Sequence, residues 1–175
     1  MSNHLTPPVN AKDHIQGNED AVIELVEYGD YQCPHCGRAY PILKNIQRRL
    51  GKDVKFVFRN FPLAESHPNA VHAAIAAEAA ALQNEFWEMH DTLFENQRRL
   101  SDNALLSYAE QLGLSIEQFR KDFEDEKQSA KVENDLESGI RSGVNGTPSF
   151  FINGAKYNGN WEEEEFFEYL QAYLA

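Results

Sequence analysis

The chain has 175 residues, with 28 acidic against 16 basic side chains and a formal net charge of -12 at pH 7. This length suits one globular domain, or one domain with an insertion, that is large enough to bury a core. The acidic balance argues against nucleic acid or an anionic membrane as a partner, because both attract clustered Lys and Arg. The sequence has no run of about 18 or more apolar residues, which argues against insertion into a membrane.

Residues 1–16 are polar, include Pro7 and Pro8, and lack the apolar stretch of a signal peptide. They predict a flexible N-terminal arm on a protein that stays in the cytoplasm. If a leader has been removed from the sequence, the same residues are compatible with a periplasmic or otherwise extracytoplasmic protein.

The next segments alternate between strand and helix patterns. Residues 22–28 are β-branched and apolar between turn-forming residues, and they predict an internal strand. Apolar positions three or four apart then run from Tyr40 to Leu50 and predict a helix that stops at Gly51. In residues 54–59, apolar side chains recur at every second position, which predicts a second strand.

Residues 66–140 predict a compact set of helices, because Gly and Pro are nearly absent and apolar positions recur at helical spacing. Ser66 is expected to cap the first of these helices. Ser115 and Gln118 have the spacing of a capping box at the start of a later one.

Two short strands and a helix are predicted near the C-terminus. Residues 149–152 and 155–157 flank Asn153-Gly154, the pair of residues favoured in a two-residue β-hairpin. Asn160 is expected to cap the last helix, whose first turn is acidic.

This order of elements predicts an α/β protein in which a β-α-β unit and a β-β-α unit are separated by inserted helices. The predicted division has a first part over residues 17–65, an inserted helical domain over 66–140 and a second part over 141–175. The flexible arm precedes the first part.

The sequence contains only two cysteines, three positions apart in Cys33-Pro34-His35-Cys36, after a predicted strand and at the start of a predicted helix. The N–H groups and partial positive charge of a helix N-terminus favour a thiolate at Cys33. Cys36, one turn deeper, can attack a mixed disulfide and release the substrate. Pro34 fixes the backbone at the helix start, and His35 adds hydrogen-bond donors and, when protonated, positive charge.

Zinc binding is the main alternative for a CxxC pair. A structural zinc site needs four ligands, and the sequence offers no second CxxC and no suitably spaced pair of histidines. The pattern therefore predicts a redox-active dithiol and no metal site.

Three segments of the sequence resemble the DsbA-like branch of the thioredoxin superfamily. They are the stretch Gly29–Cys36, the segment from His67 to Asp91, and the motif Gly146-Thr147-Pro148. The resemblance covers roughly residues 17–174 and implies a thioredoxin-like fold with an inserted helical domain. It also implies a bacterial protein disulfide oxidoreductase that exchanges disulfides with protein or peptide thiols through a mixed disulfide. The dithiol would be its redox group, with no further cofactor, and an unidentified redox partner would restore it.

The same resemblance implies roles for three further residues. Pro148 matches the family's cis-proline, which lies beside the active cysteines, and Thr147 before it would face the substrate. Glu27 lies where the family keeps an acidic residue beneath the disulfide. Strand alternation independently turns Glu27 to the same face as Leu25, where burial would raise its pKa and let it exchange a proton with Cys36. A solvated glutamate at the end of the strand is the alternative.

Two other functions remain compatible with the sequence. One is a glutathione-dependent transferase or isomerase on the same scaffold; the second cysteine counts against it, since such relatives use a serine or a lone nucleophile. The other is a thioredoxin-like binding module whose thiols are vestigial. The sequence leaves open whether an active dithiol would serve as an oxidase, a reductase or an isomerase.

Overall fold

The computed structural model describes residues 3–175, and its centre is a five-stranded mixed sheet. The strands are β1 (His14–Gly17), β2 (Ile23–Gly29), β3 (Val54–Asn60), β4 (Ser149–Ile152) and β5 (Ala155–Tyr157). Their order across the sheet is β1-β3-β2-β4-β5. Strands β2 and β3 run parallel, and each of the other neighbouring pairs is antiparallel.

Seven α-helices lie in the described chain, and five of them separate β3 from β4. They are α1 (Pro34–Leu50), α2 (Ala70–Ala81), α3 (Phe86–Glu95), α4 (Asp102–Gln111), α5 (Ile116–Glu124), α6 (Glu126–Arg141) and α7 (Glu163–Gln171). Helix α1 connects the two parallel strands, and α7 follows β5. This is a thioredoxin-like fold with a helical insertion, as predicted. The boundaries between the predicted parts 17–65, 66–140 and 141–175 stay a prediction.

Both faces of the central strand β2 are buried, which explains its nearly continuous apolar sequence. Leu25 lies in the main core, together with Cys36 and the buried face of α1. Val26 and Tyr28 point to the opposite face and belong to a smaller core. Because side chains alternate along a strand, Glu27 lies on the Leu25 face, beneath α1.

The turn between β4 and β5 has the predicted conformation. Asn153 and Gly154 have φ angles of 48° and 87°, the left-handed values that a two-residue type I′ turn requires. Asn153 also ties the turn to β2, because its Oδ1 accepts a hydrogen bond of 2.7 Å from the Glu24 backbone N–H.

The cap predicted at Ser115 is confirmed, whereas the cap predicted at Ser66 is wrong. The Ser115 hydroxyl accepts a hydrogen bond of 3.3 Å from the Gln118 N–H at the start of α5. Helix α2 begins at Ala70, four residues after Ser66. Pro68 explains the delay, since a proline disfavours helical backbone at the residue before it.

The cap predicted at Asn160 is displaced by two residues. Helix α7 begins at Glu163, and Glu162 is its N-cap residue. Asn160 still supports this end of the helix, because its Oδ1 accepts a hydrogen bond of 2.9 Å from the Glu162 N–H.

The N-terminal segment differs from the predicted flexible arm over residues 1–16, of which residues 1 and 2 lie outside the described residues. The prediction is wrong at its end, because strand β1 begins at His14 and pairs with β3. Leu5 is buried in the smaller core, and the Thr6 N–H donates a hydrogen bond of 2.8 Å to Ser142 Oγ. These contacts are made with residues far along the chain, so a polar local composition does not reveal them.

A buried ion pair also holds the N-terminal segment against the sheet. Arg59 in β3 donates from Nε and Nη2 to the two carboxylate oxygens of Asp13, at 2.8 and 2.9 Å. Its Nη1 donates to the Tyr28 hydroxyl at 2.9 Å. Burial opposes ionisation of Asp13, but the hydrogen bonds and charge of Arg59 outweigh it, so the pKa of Asp13 is lowered.

We expect Asp13→Asn to lower the free energy of unfolding by about 3 kcal/mol at pH 7, because it leaves the Arg59 charge buried without its partner. The loss should shrink as the pH falls below the usual value of 3.8, since protonated Asp13 no longer provides the ion pair. Urea titrations of both proteins at neutral and acid pH measure the difference. The exposed Asp20→Asn is the control, and equal losses for the two variants would contradict the assignment.

Candidate active site

The two cysteines lie at the N-terminus of α1. Cys33 is its N-cap residue, Pro34 is its first helical residue, and Cys36 lies one turn deeper. Pro34 and His35 are exposed. Cys33 is 3% exposed and Cys36 is completely buried, and both thiols are free, so the structure is that of the dithiol form. Cys33 is therefore the sulfur nearer to solvent.

The pKa of the Cys33 thiol is lowered from 9.0 to about 5. A hydrogen bond from the Cys36 thiol is the largest cause; burial opposes it, and the Thr147 hydroxyl and the backbone N–H groups of Cys36 and His35 lower the pKa further. Backbone N–H groups at the start of a helix have no partner within the helix, so they are free to stabilise this thiolate. At neutral pH, Cys33 is consequently an anion.

Cys36 has the opposite character. Burial is the main cause that raises the pKa of its thiol well above 9.0, and the hydrogen bond to Cys33 and the negative charges of Glu27 and Cys33 act in the same direction. The two sulfurs are thus unequal, with Cys33 held as the thiolate and Cys36 as the thiol.

Thr147 faces Cys33 from the loop before β4, and Pro148 follows it directly. The peptide bond between them is cis, as predicted. The Cys33 Sγ lies 3.7 Å from the Thr147 carbonyl oxygen, to which Cys33 can donate a hydrogen bond only in its protonated form. The Thr147 hydroxyl is buried without a hydrogen-bond partner among the described residues, so it is available to the Cys33 thiolate.

Glu27 lies beneath the dithiol and is 2% exposed, so it is not the solvated glutamate of the alternative interpretation. Its carboxyl makes no hydrogen bond within residues 3–175. Burial is the main cause that raises its pKa from 4.5 to about 8, and the negative charge of Cys33 raises it further. A cavity of about 10 Å³ adjoins Glu27, roughly enough for one water molecule. Besides Glu27, the polar side chains that line this cavity are Gln16, Tyr40, Lys44, Gln47 and His90.

Asp30 organises the loop before Cys33, a role that was not predicted from the sequence. Its Oδ1 accepts hydrogen bonds from the N–H groups of Gln32 and Cys33, at 2.7 and 3.1 Å. Its Oδ2 accepts from the Leu63 N–H and from His67 Nδ1, both at 2.8 Å. The pattern of an aspartate whose side chain bonds the backbone two residues later is a recognised turn signal, so this role could have been found.

Gln97 reaches the same loop from the helical insertion. Its Nε2 donates hydrogen bonds to the backbone carbonyl oxygens of Tyr31 and Cys33, each at 2.9 Å. Gln97 lies more than sixty residues from the loop in sequence, and no local pattern marks it.

A CxxC dithiol at a helix N-terminus, opposite a cis-proline and above a buried carboxyl, defines a dithiol site of the thioredoxin type. The family model described as Thioredoxin matches residues 9–172. The chain therefore belongs to the thioredoxin family, and its inserted helices place it in the DsbA-like branch.

Two solved structures are similar to the chain over nearly its whole length. Oxidised BdbD from Bacillus subtilis is 25% identical, with a TM-score of 0.85 and 99% of each chain covered. A thioredoxin-like oxidoreductase from Silicibacter pomeroyi is 27% identical, with a TM-score of 0.83 and 95% of each chain covered. These similarities support a thiol–disulfide oxidoreductase as the general class of this chain.

Curated relatives of higher identity have a different name. Na(+)/H(+) antiporter NhaA 1 from Salinispora arenicola is 40% identical over 161 residues, which are 91% of this chain and 24% of that protein. The protein of the same name from Mycolicibacterium vanbaalenii is 39% identical over 170 residues, 96% of this chain and 28% of that protein. The chain thus spans about a quarter of the length of these relatives, and their name describes proteins much longer than the matched part. Among residues 3–175, no helix is both long and apolar enough to cross a membrane.

Proposed function

We propose that this chain transfers its disulfide to protein or peptide thiols through a mixed disulfide on Cys33. The observation that carries this proposal is the inequality of the two sulfurs, with the pKa of Cys33 lowered to about 5 and that of Cys36 raised well above 9.0. A protein that is to be oxidised would meet Cys33 first, because Cys36 is completely buried.

The first step starts from the internal Cys33–Cys36 disulfide. A substrate thiolate attacks Cys33 Sγ, so that a substrate–Cys33 bond forms and the Cys33–Cys36 bond breaks. Cys36 leaves as a thiolate and needs a proton, because its own pKa is high. In the second step, another substrate thiolate attacks the substrate sulfur of the mixed disulfide and releases the Cys33 thiolate. The substrate loses two electrons, and the dithiol gains them.

Glu27 is the proposed proton donor to Cys36. With a pKa raised to about 8, its carboxyl is protonated at neutral pH, as a donor must be. The small cavity beside Glu27 has room for about one water molecule, which would return a proton to the carboxyl. Lys44 lines this cavity and is partly exposed, so it is one of the side chains through which the cavity adjoins solvent.

The low pKa of Cys33 supports oxidation rather than reduction of substrates. A stable thiolate is a good leaving group in the second step, and it stabilises the reduced form of the protein. Both effects make the disulfide form a stronger oxidant. Thr147 and Pro148 are the proposed contacts for the substrate segment, since the Thr147 carbonyl lies beside Cys33 and Pro148 follows it through a cis peptide bond.

An oxidising couple also limits where the proposed activity can operate. A couple near about -120 mV would rest reduced in a cytosolic glutathione pool near about -220 to -260 mV. We therefore infer a compartment that is more oxidising than the cytosol, and a separate redox partner that accepts two electrons from the dithiol. The dithiol itself is the only redox group that this mechanism uses.

Equilibration of the protein in glutathione buffers, followed by acid quenching and thiol alkylation, tests the proposal. We expect a Cys33–Cys36 disulfide that is half reduced at about -120 to -180 mV. A potential near about -270 mV would instead indicate a reductase. A stable glutathione adduct without an internal disulfide would support the glutathione-dependent alternative, and no oxidation of either cysteine would support a binding module.

A further inference from the structure

Gln97 bridges the helical insertion and the backbone of the dithiol site. It lies in the loop between α3 and α4, and its side-chain amide donates to the carbonyl oxygens of Tyr31 and Cys33, each at 2.9 Å. One amide nitrogen thus uses both of its hydrogens on two carbonyls of the same loop. No other side chain in residues 3–175 donates to either carbonyl.

The first turn of α1 leaves space for this side chain at Gly37. A Cβ atom on residue 37 would lie 2.0 Å from Gln97 Oε1 and 2.6 Å from its Cδ, so any other residue would have to displace Gln97. The Gly37 N–H also donates to the Cys33 carbonyl at 3.0 Å. The Cys33 carbonyl therefore accepts one hydrogen bond from its own helix and one from the insertion.

Asp30 and Gln97 hold opposite groups of the Cys33 backbone. The Asp30 carboxylate accepts from the Cys33 N–H, and the Gln97 amide donates to the Cys33 carbonyl. With both groups restrained, the direction of the Cα–Cβ bond is set. The direction of the Cα–Cβ bond in turn sets the position of Cys33 Sγ relative to the backbone N–H groups of His35 and Cys36.

We propose that Gln97 is a positioning residue, which aligns the Cys33 thiolate with the N–H groups at the start of α1 through its backbone. The proposal rests on the proposed role of Cys33 as the nucleophile. In this proposal the helical insertion does more than pack against the rest of the fold. One of its residues also influences the ionisation of Cys33, which lies outside the insertion.

Gln97→Met tests the proposal, because methionine keeps the length and apolar contacts of the side chain and lacks both donors. Loss of alignment with the helix N-terminus should raise the pKa of Cys33 by about half a unit. Absorbance of the thiolate as a function of pH measures this shift, and alkylation by iodoacetamide at pH 5 should slow by about twofold. Equilibration with glutathione should shift about threefold toward the disulfide, or about 15 mV.

Gln171→Met is the matched control, since Gln171 is exposed at the end of α7 and should change none of these values. Gly37→Ala is a second variant, which replaces glycine within a helix and so favours the helix itself. It should nevertheless raise the pKa of Cys33 as Gln97→Met does, because the new methyl group displaces Gln97. The double variant should show no larger shift than either single variant.

An unchanged Cys33 pKa in folded Gln97→Met would overturn the proposal. If Gln97→Met does not fold, a Gly37→Ala protein with an unchanged pKa would overturn it equally. Additive shifts in the double variant would also do so, because Gly37 would then act independently of Gln97. Failure of the wild-type protein to form the Cys33–Cys36 disulfide would contradict the proposed function alone, since the thiolate absorbance of Cys33 is measured separately.

Discussion

A reduced Cys36→Ser variant is expected to accumulate a mixed disulfide with a disulfide-containing protein, whereas Cys33→Ser is expected to form none. The Cys33 thiolate attacks the substrate disulfide and releases one substrate thiolate, but without Cys36 the new bond has no internal thiol to break it. Loss of the nucleophile in Cys33→Ser should lower exchange by a factor on the order of 10³ or more. Non-reducing electrophoresis and mass spectrometry of the trapped species measure both outcomes.

Cys36→Ala separates trapping from activation of the nucleophile. The Cys36 thiol is the largest cause of the low pKa of Cys33, and a serine hydroxyl can still donate a hydrogen bond where a methyl group cannot. Cys36→Ala should therefore trap the mixed disulfide more slowly than Cys36→Ser at pH 5, and at a similar rate at pH 9. Trapping through Cys36 in the Cys33→Ser variant would reverse the assigned roles.

The elements that the sequence predicted correctly depend on neighbouring residues. The β4–β5 turn needs left-handed backbone at Asn153 and Gly154, and that preference is a property of these two residues. The dithiol also belongs to this class, because a cysteine before Pro34 at the start of a helix is defined within four positions. Burial of Glu27 followed from strand alternation, since its direction depends only on the pleat.

The elements that the sequence did not reveal depend on distant partners. Strand β1 is polar and short, and it is a strand because β3 lies beside it. Gln97 resembles any loop glutamine until the fold brings it to the Cys33 carbonyl. The burial of Arg59 is a further case, because the sequence of β3 alone does not indicate that this charged side chain is buried. Tertiary contact decides each of these cases, and local propensity carries no information about it.

Glu27→Gln is expected to stabilise the reduced protein by about 3 kcal/mol at pH 7. The folded pKa of Glu27 is raised from 4.5 to about 8, so the unfolded chain ionises at pH 7 while the folded one stays protonated. At pH 7, about 2.5 units above the usual pKa of 4.5, ionisation of Glu27 in the unfolded chain therefore favours unfolding by about 1.4 kcal/mol for each of these units. Glutamine resembles the protonated carboxyl in size and has no such ionisation.

The sign of this effect fixes its dependence on pH. For an acid whose folded pKa is raised, the stability is fully present below pH 4.5 and is lost as the pH rises through about 8. Wild type and Glu27→Gln should thus unfold at similar urea concentrations at pH 4 and diverge up to about pH 8. Glu24→Gln in the same strand is the matched control, because its partly exposed ion pair with Lys55 should contribute less than about 1 kcal/mol.

The same variant is expected to slow disulfide transfer, since the proposed proton donor to Cys36 is lost. We expect a decrease by a factor on the order of 10 to 100, at the low end for an acid catalyst because solvent can also supply protons. Stopped-flow oxidation of a dithiol peptide across the pH range measures the rate. A variant that is more stable and slower at neutral pH would link the stability cost of burying Glu27 to its function. A stabilised variant with an unchanged rate would show that Glu27 is buried there without transferring the proton.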